Sequence, residues 1–112
     1  MLIGYLSDQL RRTCEEIKRA RKALPQKPAT TLIQRLTDLA AFGSLASIPS
    51  GAPLHFHALC GNLAGHFAIS IDKKHRIVFR PTGKFDLSAD GSAVLATVAA
   101  IEITYVGDYH DE

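Results

Sequence analysis

The spacing of apolar residues along the chain changes twice, and each change marks a new kind of element. Leu2 to Leu6 is a short apolar run that ends at Ser7, whose hydroxyl suits a helix N-cap. Beyond it Leu10, Cys14, Ile17 and Leu24 recur at helical spacing with the basic residues on the other face, which predicts a helix over 8–24. Pro25 and Pro28 bracket a tight break, after which Leu32, Leu36 and Leu39 mark a second amphipathic helix that stops near Gly43. The two helices are expected to form an antiparallel hairpin.

Pro49, Gly51 and Pro53 then give the stretch 47–53 the character of a loop. From Phe67 the period becomes two. Phe67, Ile69 and Ile71 alternate with Ala68 and Ser70, Asp72 to His75 supplies a polar turn, and Arg76, Val78 and Arg80 alternate with Ile77 and Phe79. This predicts a β-hairpin with one apolar face and one face bearing two arginines. A polar connection over 81–92 leads to a β-branched segment over 98–106, with Ile101, Ile103 and Tyr105 on one side. The expected fold class is α+β: a short N-terminal strand and an antiparallel helical hairpin packed on a small antiparallel sheet, one domain over 1–112, with the far sheet face free for chemistry.

Composition adds limits to this picture. A chain of 112 residues with 46% hydrophobic content can bury a core without staples. Cys14 and Cys60 stand in no metal-type spacing and are too few for a disulfide framework, so both are expected to be small buried hydrophobes in a reducing compartment. The first residues lack the basic and long apolar regions of a secretory signal, and 93–101 is far too short to span a bilayer. A cytoplasmic protein with no membrane partner is expected.

The net charge of +2 hides an asymmetry. Residues 1–36 hold eight Lys or Arg against three acids, whereas after Lys84 there are six acids and no Lys or Arg. A basic N-terminal surface suits either nucleic acid or an acidic protein segment.

Five histidines, at 55, 57, 66, 75 and 110, supply groups that titrate where acid–base catalysis at neutral pH needs them. Arg76 and Arg80 can grip phosphate oxygens through paired hydrogen bonds. His55 with His57 and Asp108 with His110 have strand spacing suited to a shared metal, but no third ligand element accompanies them, and no metal or other cofactor is expected. Gly61 to Gly65 lacks the ending of a phosphate-binding loop and reads as a turn into the hairpin. No nucleophile elbow is present.

Three blocks in order, His57 to Gly65, Ala68 to Asp72 leading to Arg76–Phe79, and the terminal Asp108-Tyr109-His110, resemble the HigB-type killer toxins of the RelE/ParE superfamily. The resemblance covers 54–110, and the N-terminal part matches by arrangement only. It implies a toxin that cleaves mRNA on the ribosome without a metal. Its implied partner is a cognate helix-turn-helix antitoxin of the HigA kind, through which alone it would meet operator DNA. Carried over by position, the catalytic set is His57, Arg76, Asp108, Tyr109 and His110. Arg76 stabilises charge, His57 and His110 are the acid–base candidates, Asp108 orients or serves as an alternative base, and Tyr109 stacks on a base or positions phosphate. Lys73, Lys74 and Arg80 are candidate RNA-binding residues.

The sequence departs from the family pattern in two places. Lys74 and His75 stand where the family favours an amide or acid and an aromatic, and Thr104 to Gly107 separates Glu102-Ile103 from Asp108. Gly107 is expected to mark a bulge that re-aims the terminal residues. Two other functions remain open to the same fold: a non-catalytic inhibitor of DNA gyrase of the ParE kind, and an inactive homologue that only engages its antitoxin.

Overall fold

The computed structural model describes residues 1–108. Their elements run β1 (Leu2–Tyr5), α1 (Asp8–Glu15), α2 (Ile17–Ala23), α3 (Gln26–Ala41), β2 (His57–Ala58), β3 (Phe67–Ser70), β4 (His75–Pro81) and β5 (Ala100–Asp108). The sheet has the order β1-β5-β4-β3-β2. Neighbours from β2 to β5 pair antiparallel, and β1 joins the edge of β5 in parallel, so the sheet is mixed. The α+β fold expected from the sequence is the fold found, with this one parallel pair added.

Ser7 caps α1 as expected, its side chain accepting from the Leu10 amide. The helix predicted over 8–24 is instead two helices that break at Glu16, whose backbone is extended. The reason lies in which residues must be covered. Ala20 is buried while Ile17 stands 37% exposed, so past the break the inward face is not the one that Cys14 and Ile17 would share on a continuous helix. Pro28 lies inside the first turn of α3, where a missing N–H costs no intrahelical bond, and it is buried there.

The helices cover one face of the sheet. Leu32, Leu36 and Leu39 of α3 pack against Ile69, Ile77, Phe79, Ile101 and Ile103, and all of these are buried. Phe79, Phe67 and Phe56 stack, with ring centroids 5.3 Å apart for Phe56–Phe67 and 6.3 Å for Phe56–Phe79, so the loop before β2 is tied to the core. The other sheet face is less free than its alternation suggested. Leu59, Ala68 and Val78 form a small second core there, with Leu63 packed against it. The segment 59–66 folds back over part of the arginine face to make it.

A bulge controls β5. Val78 pairs with Tyr105 and Phe79 with Ile103, so two residues of β4 face three of β5 and Thr104 is the extra one. Its hydroxyl donates to the Val78 carbonyl at 3.3 Å. Beyond the bulge the faces exchange. Val106 packs on the main core, while Tyr105 comes out beside Val78, 44% exposed, instead of lying inward with Ile101 and Ile103 as the simple alternation predicted. The bulge therefore sits three residues before the glycine expected to carry it.

Gly107 has a different task. It lies opposite Arg76 with φ +150°, a conformation that L side chains rarely adopt, and a Cβ there would stand 2.8 Å from the Tyr105 hydroxyl. The tip of Tyr105 can swing aside, but the backbone cannot. Gly107→Ala is expected to lower stability by about 1–3 kcal/mol through this strain, a loss that urea denaturation would record and that Tyr105→Leu in the same chain should not restore.

Candidate active site

The β3–β4 turn organises one end of the arginine face. Asp72 Oδ1 accepts from the backbone N–H of Lys74 at 2.9 Å and of His75 at 2.7 Å, and lies 3.0 Å from His75 Nδ1. This is the side-chain-to-backbone turn that aspartate favours. Partial burial pushes the Asp72 carboxyl up, but the hydrogen bonds from the His75 and Lys74 backbones and the His75 ring outweigh it and hold the group below its ordinary 3.8. A depressed carboxyl stabilises the fold above its unfolded value, and that contribution disappears as pH falls through the folded one. Asp72→Ala should therefore lower the melting temperature at pH 7, and the gap to the parent protein should narrow as the pH falls below 3.8.

Arg76 leaves this turn on the first residues of β4. Its Nη1 donates to the Asp72 carbonyl at 2.8 Å and to the His75 carbonyl at 3.2 Å. The Nε and Nη2 groups have no protein partner among the described residues, so the outer edge of the fork is open to an anion. Arg76 pairs across the sheet with Ser70, and His57 pairs with Ala68 on the same face. Both side chains line one cleft of about 590 Å³, together with Arg35, His55, Asp72 and Lys73.

The His57 ring is held in one orientation. Its Nδ1 lies 2.8 Å from the carbonyl oxygen of His55, which can only accept, so the bond requires the proton on Nδ1. In the neutral ring Nε2 is then the basic nitrogen. His55 adopts positive φ, at 49°, which turns the chain so that this carbonyl meets the ring two residues on. Arg35 enters the cleft from α3, its side chain only 14% exposed, and donates to the Ser70 carbonyl at 3.1 Å. Asp38 lies 3.4 Å from it and offsets part of its charge.

The remaining predicted site residues are distributed unevenly. Lys73 lines the same cleft as His57 and Arg76. Lys74 reaches Asp108, with Nζ 3.6 Å from Oδ2, and Asp108 pairs in register with His75, next to Arg76. Arg80 is not gathered with them. It lies four residues along β4, held by Glu102 at 2.9–3.0 Å, and lines a separate cleft. Tyr109 and His110 lie outside the described residues.

Sequence reasoning did not single out Arg35 and Asp72 for the site, and it named His55 only among the five histidines and as a possible metal ligand. Asp72 had a legible signal in its place two residues before Lys74 in a polar turn. Cys14 is buried as expected, its thiol pushed up to about 12 by burial and by the nearby Glu15, but Cys60 is exposed. Among the described residues no three His, Cys, Asp or Glu side chains gather as a metal site, and no helix is long and apolar enough to cross a membrane.

No protein-family model matches the sequence, and no curated protein sequence matches it. Solved structures do match the fold. A YoeB/ParE toxin from Agrobacterium tumefaciens superposes with a TM-score of 0.55 at 16% identity over 98% of this chain and 100% of its own. A YoeB–YefM complex from Staphylococcus aureus gives 0.55 at 19% identity over 98% of both chains. YafQ from E. coli gives 0.51 at 16% identity over 95% of this chain and 90% of its own. At such identities the likeness is one of architecture, and the chain has the α+β fold of the YoeB/ParE and YafQ toxins.

Proposed function

We propose that this chain is the toxin of a toxin–antitoxin pair, of the HigB kind, and that it cleaves mRNA on the ribosome without a metal. The observation that carries the reading is the pairing of an oriented His57 with the open fork of Arg76 in one cationic cleft. The fold likeness to YoeB/ParE and YafQ toxins supports it.

In this reading His57 Nε2 removes the proton from a ribose 2′-hydroxyl, and the oxygen attacks the adjacent phosphorus. The bond to the 5′-oxygen breaks, leaving a 2′,3′-cyclic phosphate on one fragment and a 5′-hydroxyl on the other. Arg76 donates to the non-bridging oxygens as charge gathers on them, and Lys73 and Arg35 add positive potential. His110 is assigned the proton for the departing 5′-oxygen, Tyr109 the positioning of the strand, and Asp108 their orientation; the first two assignments rest on sequence alone. The S. aureus neighbour was solved as a YoeB–YefM complex, which supports an antitoxin partner for this chain.

Expression without its antitoxin tests the reading. Growth should stop, with mRNA cut inside translated codons and plasmid supercoiling unchanged. Intact mRNA beside blocked supercoiling would assign the fold to gyrase inhibition instead.

A further inference from the structure

The arginine face holds a second cleft, of about 480 Å³, with no role in the chemistry above. Leu63 contributes carbon surface, Leu6 and Tyr105 are exposed large hydrophobics beside it, Val78 lies buried beneath as the floor, and Arg80 and His66 complete the lining. The Arg80 guanidinium is committed to Glu102, so the cleft offers no free cation for an anion. The Nδ1 of His66 is sealed from solvent without a hydrogen-bond partner, and the rest of this polar ring lines the cleft.

Two features tie this cleft to the neighbouring one. Val78 lies two residues from Arg76 on the same strand and the same face, about 6.6 Å along the backbone at the ordinary strand rise, so the two clefts are neighbours on one sheet face. Tyr105 pairs with Val78, yet its hydroxyl lies over Gly107, directly opposite Arg76, and donates to the Asp108 carbonyl at 3.3 Å. One aromatic side chain thus joins the apolar cleft to the edge of the cationic one, and the Thr104 bulge is what brings it to this face.

We propose that this cleft receives a single unstacked nucleobase from one of the two nucleotides flanking the cut, seated against Tyr105 and Leu63 while the scissile phosphate rests at Arg76. The inference depends on the RNA-cleaving reading. A base has apolar faces for Leu6, Leu63 and the Tyr105 ring and a polar edge for the His66 ring. The aliphatic side chain of a protein partner would leave that polar rim unmatched.

The test is a double-mutant cycle on ribosomes programmed with a short mRNA. An abasic residue placed on either side of the cut is compared with the intact strand, for the parent protein and for Tyr105→Ala. Base–aromatic stacking sets the scale at about 5- to 100-fold. One of the two abasic strands should lose that much kcat/KM with the parent protein, Tyr105→Ala should lose as much on intact mRNA, and the two losses should not multiply. Tyr105→Phe keeps the ring and should restore the sensitivity to the base. Losses that multiply, or both abasic strands cut at the parent rate, overturn the assignment while Arg76-dependent cleavage stands. A parent protein that cuts nothing overturns the RNA reading and this inference together. Unchanged cleavage by Tyr105→Ala with weakened antitoxin capture would give the cleft to a protein contact instead.

Discussion

Replacing Arg76 by alanine is expected to slow RNA cleavage by about 10²- to 10³-fold, the loss typical of removing one preorganised donor to a developing oxyanion. The fold should survive. Arg76 is partly exposed, its protein contacts are to two turn carbonyls, and the backbone pairing with Ser70 and Gly107 does not need the side chain. Arg76→Lys keeps the charge but loses the planar fork, so it should fall between the two. The measurement is the rate of fragment release from programmed ribosomes, with thermal melts as the control. A folded Arg76→Ala protein that cuts at the parent rate would remove this residue from the mechanism.

The largest effect on stability is expected at Phe79. The side chain is fully buried and stacks with Phe67 and Phe56, the residue just before His57. Truncation to alanine both removes apolar burial and leaves a cavity, about 3–5 kcal/mol for phenylalanine, against a total stability of about 5–15 kcal/mol for a domain of this kind. Phe79→Ala should shift the urea midpoint sharply and loosen the loop that holds the His57 ring. Leu87→Ala, at a residue 63% exposed, should change stability by less than about 0.5 kcal/mol. Similar midpoints for the two variants would contradict the placement of the core.

Much of this architecture was legible in the spacing of apolar residues. Leu32, Leu36 and Leu39 announced α3, and the alternation around the Asp72 turn announced β3 and β4, including the shared face of Ser70 and Arg76. What was missed depends on pairing between distant segments. The bulge at Thr104 exists only as a mismatch in count between β4 and β5, so Tyr105 reads as inward until its partner strand is known. The break at Glu16 turns Ala20 inward and Ile17 outward, a demand made by the rest of the fold. The parallel edge formed by β1 joins residues nearly a whole chain apart.

The site divides in the same way. His57 and Arg76 were readable because strand alternation and residue chemistry both pointed at them. Arg35 sits on a helix that covers the opposite sheet face, and its reach to the Ser70 carbonyl arises only from how α3 lies against the hairpin end. Arg80 shares the alternation of Arg76, and only the structure reveals that Glu102 holds it in the neighbouring cleft.

The proposal that His57 and Arg76 drive attack by a ribose 2′-hydroxyl is tested most directly by the chemistry of the cut ends. With mRNA on ribosomes, the parent protein should leave a 5′-hydroxyl and a 2′,3′-cyclic phosphate, and a single 2′-deoxy substitution at the cut nucleotide should abolish cleavage there. Fragments with 5′-phosphate ends, or equal cleavage of the 2′-deoxy strand, would contradict it.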